Sequence, residues 1–80
     1  MPPNELLTLL RRRPFVPFRI HLDEGTTYEV RHPELVMVSV GAAIVGFPDP
    51  SHPGMYGSRA IVALRHLVRL EPLEAPAASA

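Results

Sequence analysis

The feature that most constrains the fold is an alternation of apolar and polar residues on either side of a short turn. Phe18, Ile20 and Leu22 alternate with polar residues, which is the period-two pattern of a strand with one wet face. Gly25 follows an Asp-Glu pair and supplies the backbone freedom that a tight turn needs. The pattern and the turn agree on one hairpin register, with Phe18 opposite Val30, Arg19 opposite Glu29 and Ile20 opposite Tyr28.

A leucine-rich and basic segment precedes this hairpin. Asn4 is the predicted N-cap of a helix, and Glu5 suits the positive helix end. An apolar face follows, and the arginines of the last turn complement the helix dipole before Pro14 ends the helix. We therefore expect a helix over about residues 4–13 that docks through its leucines. That face consists of Leu6, Leu7, Leu9 and Leu10.

The rest of the chain alternates apolar runs with residues that break secondary structure. His32-Pro33-Glu34 interrupts the ladder. Residues 48–57 are rich in proline and glycine and predict a loop. We expect residues 1–72 to form one domain and residues 73–80 to be a disordered tail. Further strands are predicted at residues 35–40, 43–47, 58–64 and 68–71, with a tight bend or a 3₁₀ turn at residues 65–67.

A helix followed by about five short strands cannot bury both faces of an open sheet in a chain of 80 residues. The economical solution is a bent sheet closed on itself. The predicted fold is therefore mostly β, a small five-stranded antiparallel barrel of the SH3/Sm-like kind with one N-terminal helix. Its predicted core is Leu6, Leu10, Phe18, Ile20, Leu22, Tyr28, Val30, Val36, Val38, Ile61 and Val68.

Composition limits the classes of function. Eight arginines balance eight acidic residues, so no net field favours nucleic acid or an anionic membrane. Without cysteine there are neither disulfides nor thiolate metal sites. The apolar stretch at 35–47 is shorter than a membrane span, and the N-terminus lacks the pattern of a secretory signal. These features favour a cytoplasmic protein with no membrane partner.

Catalytic and metal chemistry find little support in the residue pattern. The four histidines, at positions 21, 32, 52 and 66, have no ligand-like spacing. His32 and Glu34 could supply an imidazole and a carboxylate, although a structural corner is the favoured interpretation. Since neither a nucleophile motif nor a phosphate loop is present, we predict no enzyme, no cofactor and no metal site.

Two kinds of interaction surface are predicted instead. Met55 and Tyr56, flanked by glycines in the 48–57 loop, could anchor a partner protein. The apolar run Ile61–Leu64 is the strand edge expected to pair with another subunit. We therefore expect a non-catalytic interaction or assembly module that binds itself or another protein. RNA is the alternative partner, and the residues expected to bind it are Arg11, Arg12, Arg13, Arg65 and His66.

Two family resemblances accompany these patterns. The motif Pro-Phe-x-Pro-Phe-x-Ile-x-Leu at residues 14–22, with Val-x-His-Pro-Glu at residues 30–34, resembles a family of small uncharacterised bacterial proteins. That likeness implies no activity. The N-terminal helix, the hairpin and residues 61–72 are similar to the bacterial Sm-like RNA chaperone. This second likeness implies a barrel topology, and a ring in which Arg65 and His66 would take the RNA-contacting Lys-His positions.

Overall fold

The hairpin forms with the predicted register. In the computed structural model, which describes residues 1–73, Phe18 pairs with Val30, Arg19 with Glu29 and Ile20 with Tyr28. Gly25 has a φ of 99°, a conformation that disfavours a side chain. The described elements are α1 (Pro3–Arg11), β1 (Phe18–Leu22), β2 (Thr27–Val30), β3 (Val36–Val38), β4 (Ala42–Pro48), β5 (Tyr56–Ala63) and β6 (Leu67–Pro72), with 3₁₀ turns at Pro33–Leu35 and Leu64–His66.

The prediction of a five-stranded closed barrel is wrong. Within residues 1–73, six strands form two three-stranded antiparallel sheets, in the orders β2-β1-β6 and β3-β4-β5, and neither sheet closes into a barrel. The chain passes from one sheet to the other at the two 3₁₀ turns. The first turn connects β2 to β3, and the second connects β5 to β6. After the second turn, β6 pairs with β1 and not with β5.

The helix differs from its prediction at both ends. Pro2 is the N-cap, and no side chain of residues 1–73 caps the helix start, so the predicted role of Asn4 is wrong. The helix ends at Arg11 and Arg12 is already extended, two residues before Pro14, which cannot continue a helix. The Arg13 guanidinium donates 3.3 Å and 2.9 Å hydrogen bonds to the carbonyls of Leu10 and Arg12.

The core lies where α1 and the inner faces of the two sheets meet. Leu6 and Leu10 are one turn apart on α1 and both are buried. The N-terminal amine of Met1 donates a 2.9 Å hydrogen bond to the carbonyl of Leu64, which places the start of α1 beside the second 3₁₀ turn. The buried apolar residues are Leu6, Leu10, Phe18, Ile20, Leu22, Val30, Val36, Ala43, Val45, Val62, Leu64 and Leu67.

Two predicted core residues are on the surface. Ile61 is 64% exposed and Val68 is 59% exposed. Ile61 lies opposite Ile44 on the outer face, whereas its neighbour Val62 points inward. Val68 is displaced because the β1–β6 register shifts between His21 and Leu22, which leaves Val68 as an extra residue. Tyr28 and Val38 are partly buried against the core.

The third predicted strand is shorter than expected, since Leu35 belongs to a 3₁₀ turn and β3 ends at Val38. The loop extends over residues 49–55, because β4 runs on to Pro48 and β5 begins at Tyr56. The tail predicted at residues 73–80 lies outside the described residues apart from Leu73, whose N–H donates a 2.9 Å hydrogen bond to the carbonyl of Pro17.

Candidate interaction surface

The outer edge of β5 has no strand partner among residues 1–73. β5 is the last strand of its sheet and pairs only with β4. It runs from Tyr56 to Ala63, which makes it the longest described strand. A row of unpaired backbone donors and acceptors of this length is a template for another strand.

The hydrogen-bond pattern identifies which groups face outward on this edge. The N–H of Leu64 donates a 3.0 Å hydrogen bond to the carbonyl of Gly41, toward β4. Because the direction of backbone groups alternates along a strand, Val62 and Ala60 also point toward β4. The N–H and C=O groups of Arg59, Ile61 and Ala63 therefore point away from the sheet.

An apolar row crosses the outer face of the same sheet and ends at this edge. Met37 lies opposite Ile44 on one side, and Ile61 lies opposite Ile44 on the other. Met37 is 68% exposed and Ile61 is 64% exposed, whereas Ile44 between them is half-buried. The row carries apolar surface directly to the unpaired backbone of β5.

A groove of about 340 Å³ adjoins this row. Gly46 is one of the residues that line it, and a Cβ placed there would be 3.1 Å from two ring carbons of Tyr56. The Tyr56 ring therefore occupies the space that a side chain at position 46 would take. The groove is bounded by Leu35, Met37, Ile44, Tyr56 and Arg59.

The Tyr56 side chain, predicted to anchor a partner, is already held by a hydrogen bond within the protein. Its hydroxyl donates a 3.1 Å hydrogen bond to the carbonyl of Glu34, and about half of the residue is exposed. Met55 is 63% exposed. The loop before it is organised by Asp49, whose carboxylate accepts a 2.8 Å hydrogen bond from the Ser51 N–H and lies 3.3 Å from the His52 ring. Partner binding by Met55 and Tyr56 stays a prediction.

The residues predicted to bind RNA form two groups, one near each end of α1. The start of α1 lies beside Leu64, which precedes Arg65 and His66. Arg11, Arg12 and Arg13 follow at the other end, about 13 Å away for nine helical residues. His66 Nδ1 lies 2.9 Å from the Asp23 carboxylate, so this ring nitrogen already has a partner within the protein. RNA binding stays a prediction, and the structure does not gather these side chains into one patch.

A charged network covers the outer face of the other sheet. The Arg19 guanidinium lies 2.9 Å from Glu29 and 3.4 Å from Glu71, and His21 Nε2 lies 2.8 Å from Glu71. The hydrogen bond with His21 is the main cause of the lowered pKa of Glu71. The hydrogen bonds from Arg19 and Arg31 lower the pKa of Glu29. This face presents paired charges, in contrast to the apolar row on β3-β4-β5.

The residues weighed for catalysis and metal binding are dispersed. His32 and Glu34 are exposed on either side of Pro33, and in the described part of the chain no hydrogen bond joins their side chains. No cluster of three or more potential metal ligands occurs within residues 1–73. Over the same residues, no helix has the length and apolar character needed to cross a bilayer.

The edge predicted from residues Ile61–Leu64 and the edge in the structure overlap over Ile61, Val62 and Ala63. Sequence reasoning missed Arg59 and the partners of Ile61 in the apolar row, because those depend on the β3-β4-β5 register. Comparison with known proteins found no matching family model, curated protein or solved structure.

Proposed function

We propose that this chain is a non-catalytic assembly module that binds a copy of itself through the free edge of β5. One observation carries the proposal: β5, a strand of eight residues, has an edge that no strand within residues 1–73 pairs with, and Ile61 on it is 64% exposed. Proteins that stay monomeric usually protect such an edge with charges, prolines or a covering segment. Along residues 59–63 of this edge, Arg59 is the only charged residue.

The position of Ile61 adds support. Its backbone groups point outward, and its side chain extends the row of Met37 and Ile44. An added strand would satisfy the backbone groups and cover the apolar side chain in one step. Hydrogen bonding and apolar burial thus favour the same contact.

The test compares the solution masses of the unchanged protein, Ile61→Lys and Met37→Lys by size-exclusion chromatography with light scattering. Met37 is the matched control, because it is similarly exposed at the opposite end of the apolar row and lies on β3. We expect an oligomer for the unchanged protein and for Met37→Lys, and a monomer for Ile61→Lys, since a lysine would bring charge to the contact.

A monomeric unchanged protein across the accessible concentration range would reject the proposal. Dissociation by Met37→Lys but not by Ile61→Lys would place the contact elsewhere. The chain has no Trp and two Tyr, so its own absorbance at 280 nm is weak. Strong absorbance at 260 nm in the oligomer peak would favour the ring-forming RNA binder.

A further inference from the structure

We propose that two copies pair their β5 strands antiparallel about a two-fold axis, with Ile61 of one copy opposite Ile61 of the other. This inference rests on the proposed function and adds the identity of the partner strand and its register. The same edge then serves both subunits, as an isologous contact requires.

Backbone direction limits the possible registers. The groups of Arg59, Ile61 and Ala63 point outward, so residues of this set must face one another across the contact. In an antiparallel pair related by a two-fold axis, the axis passes between a residue and its own copy. The axis can therefore lie at Arg59, Ala60, Ile61 or Val62 along the central part of the edge.

Charge and strand length exclude two of these registers. An axis at Arg59 places Arg59 opposite itself; like charges directly across a sheet destabilise the pair, and Arg59 has no anionic partner in the described part of the chain to offset this. An axis at Val62 leaves only residues 61–63 to pair, because β5 ends at Ala63 and the residue opposite Arg59 would be Arg65 in the second 3₁₀ turn.

Side-chain chemistry separates the remaining two registers. An axis at Ala60 sets each Arg59 against Ile61 on the outer face. An axis at Ile61 sets Ile61 against Ile61, and Ala60 against Val62 on the inner face. Every one of these central pairs is apolar, and such cross-strand pairs stabilise a sheet by about 0.2–1 kcal/mol each. The register centred on Ile61 is the one that the edge favours.

This register also continues the apolar row. The row Met37–Ile44–Ile61 of one copy would meet the same row of the second copy in reverse order. The two sheets would become one six-stranded sheet with one uninterrupted apolar stripe. A cavity of about 250 Å³ lies between residues 61–63 and the hairpin residues Leu22 and Tyr28.

The register can be measured by cysteine scanning, because the chain has no native cysteine. The variants are Arg59→Cys, Ala60→Cys, Ile61→Cys and Ala63→Cys, each oxidised under mild conditions. A residue on the axis faces its own copy with the Cα atoms about 5.5 Å apart, within the roughly 4.4–6.8 Å range that a disulfide spans. We expect a covalent dimer for Ile61→Cys and monomers on denaturing gels for the other three.

A double variant provides independent evidence. In the proposed register Arg59 of one copy faces Ala63 of the other, so Arg59→Cys with Ala63→Cys should form a covalent dimer although each single change does not. Within one strand these positions are about 13 Å apart, too far for an internal disulfide. The double variant also tests the register if Ile61→Cys folds poorly.

The outcomes separate the two proposals. A disulfide dimer through Ala60→Cys, or through Arg59→Cys alone, would overturn the register while leaving assembly through β5 intact. Oligomeric mass without a self-crosslink at any scanned position, and none in the double variant, would overturn the register centred on Ile61. Monomeric mass for the reduced protein and its variants would overturn the proposed function itself.

Discussion

The Tyr56 hydroxyl donates its hydrogen bond to the carbonyl of Glu34 at 3.1 Å. This contact joins the first residue of β5 to the 3₁₀ turn that precedes β3, across the full width of the β3-β4-β5 sheet. The ring lies over Gly46 on β4, so one side chain connects β5, β4 and the turn that precedes β3. It fixes the start of β5, the strand whose outer edge carries the proposed contact.

Removal of this hydroxyl should lower stability by a small amount. We expect Tyr56→Phe to reduce the free energy of unfolding by about 0.5–1 kcal/mol, the lower part of the usual range for a hydrogen bond, because the site is exposed. Chemical denaturation measures the change. Tyr28→Phe is the control, since the Tyr28 hydroxyl has no hydrogen-bond partner within residues 1–73. Equal losses in both variants would show that the Glu34 contact contributes nothing specific.

Gly46 should tolerate a side chain only when Tyr56 is absent. A Cβ at 3.1 Å from the ring forces the ring away and weakens its contact with Glu34, so Gly46→Ala should destabilise the unchanged protein. In a Tyr56→Ala background the same change should be neutral or stabilising, because glycine weakens a strand by about 0.5–1 kcal/mol. A double-mutant cycle by denaturation measures the coupling. Additive effects would contradict it.

The helix should be an essential part of the core. Leu6 has no exposed surface, so Leu6→Ala should reduce the free energy of unfolding by about 2–5 kcal/mol. Leu7 on the same helix is only half-buried, and Leu7→Ala should cost clearly less. Thermal or chemical unfolding measures both. If the two losses were equal, the helix would not dock through the face that the structure shows.

Acid should weaken the charged network. The pKa values of Glu29 and Glu71 are lowered by their hydrogen bonds with arginine and histidine. A carboxylate with a lowered folded-state pKa stabilises the protein above its unfolded pKa, and this contribution is lost as pH falls through the folded-state pKa. We therefore expect the melting temperature to fall as pH decreases below about 4.5, the ordinary glutamate value.

Glu71→Gln isolates the part of this effect that belongs to Glu71. It should lower the melting temperature at neutral pH and make the acid-side decrease shallower. Glu5→Gln is the control, because Glu5 forms no ion pair within the described residues, and it should keep the original profile. An unchanged acid slope in Glu71→Gln would show that Glu71 is not stabilised in the folded state.

The hairpin could be predicted because its alternation and its turn each specify the same register. The direction of β5 side chains could not, because residues Ile61–Leu64 are all apolar and carry no period-two signal. The exposure of Val68 depends on a register shift opposite His21 and Leu22. The amino-acid sequence contains no signal that predicts this shift. Among residues 1–73, β2 does not pair with β3 and β5 does not pair with β6; these tertiary pairings decide between two sheets and a closed barrel.

The proposed interaction surface could be predicted only in part, because an apolar run without a period-two pattern does not show which side chains face outward. An apolar run at Ile61–Leu64 identifies a strand that can pair, but not which of its residues face outward. Met37 and Ile44 join Ile61 only through the β3-β4-β5 register. Arg59 has no distinguishing motif around it, and its importance comes from its place on the free edge.

Residue-resolved amide exchange tests the central claim most directly. In the assembled protein, the N–H groups of Arg59, Ile61 and Ala63 should be as well protected from deuterium exchange as those of Ala60 and Val62, which bond to β4. In Ile61→Lys, the protection of the outward groups at positions 59 and 63 should be lost while that of Ala60 and Val62 remains. Rapid exchange of the outward groups in the unchanged protein at concentrations where it is oligomeric would show that β5 is not the contact.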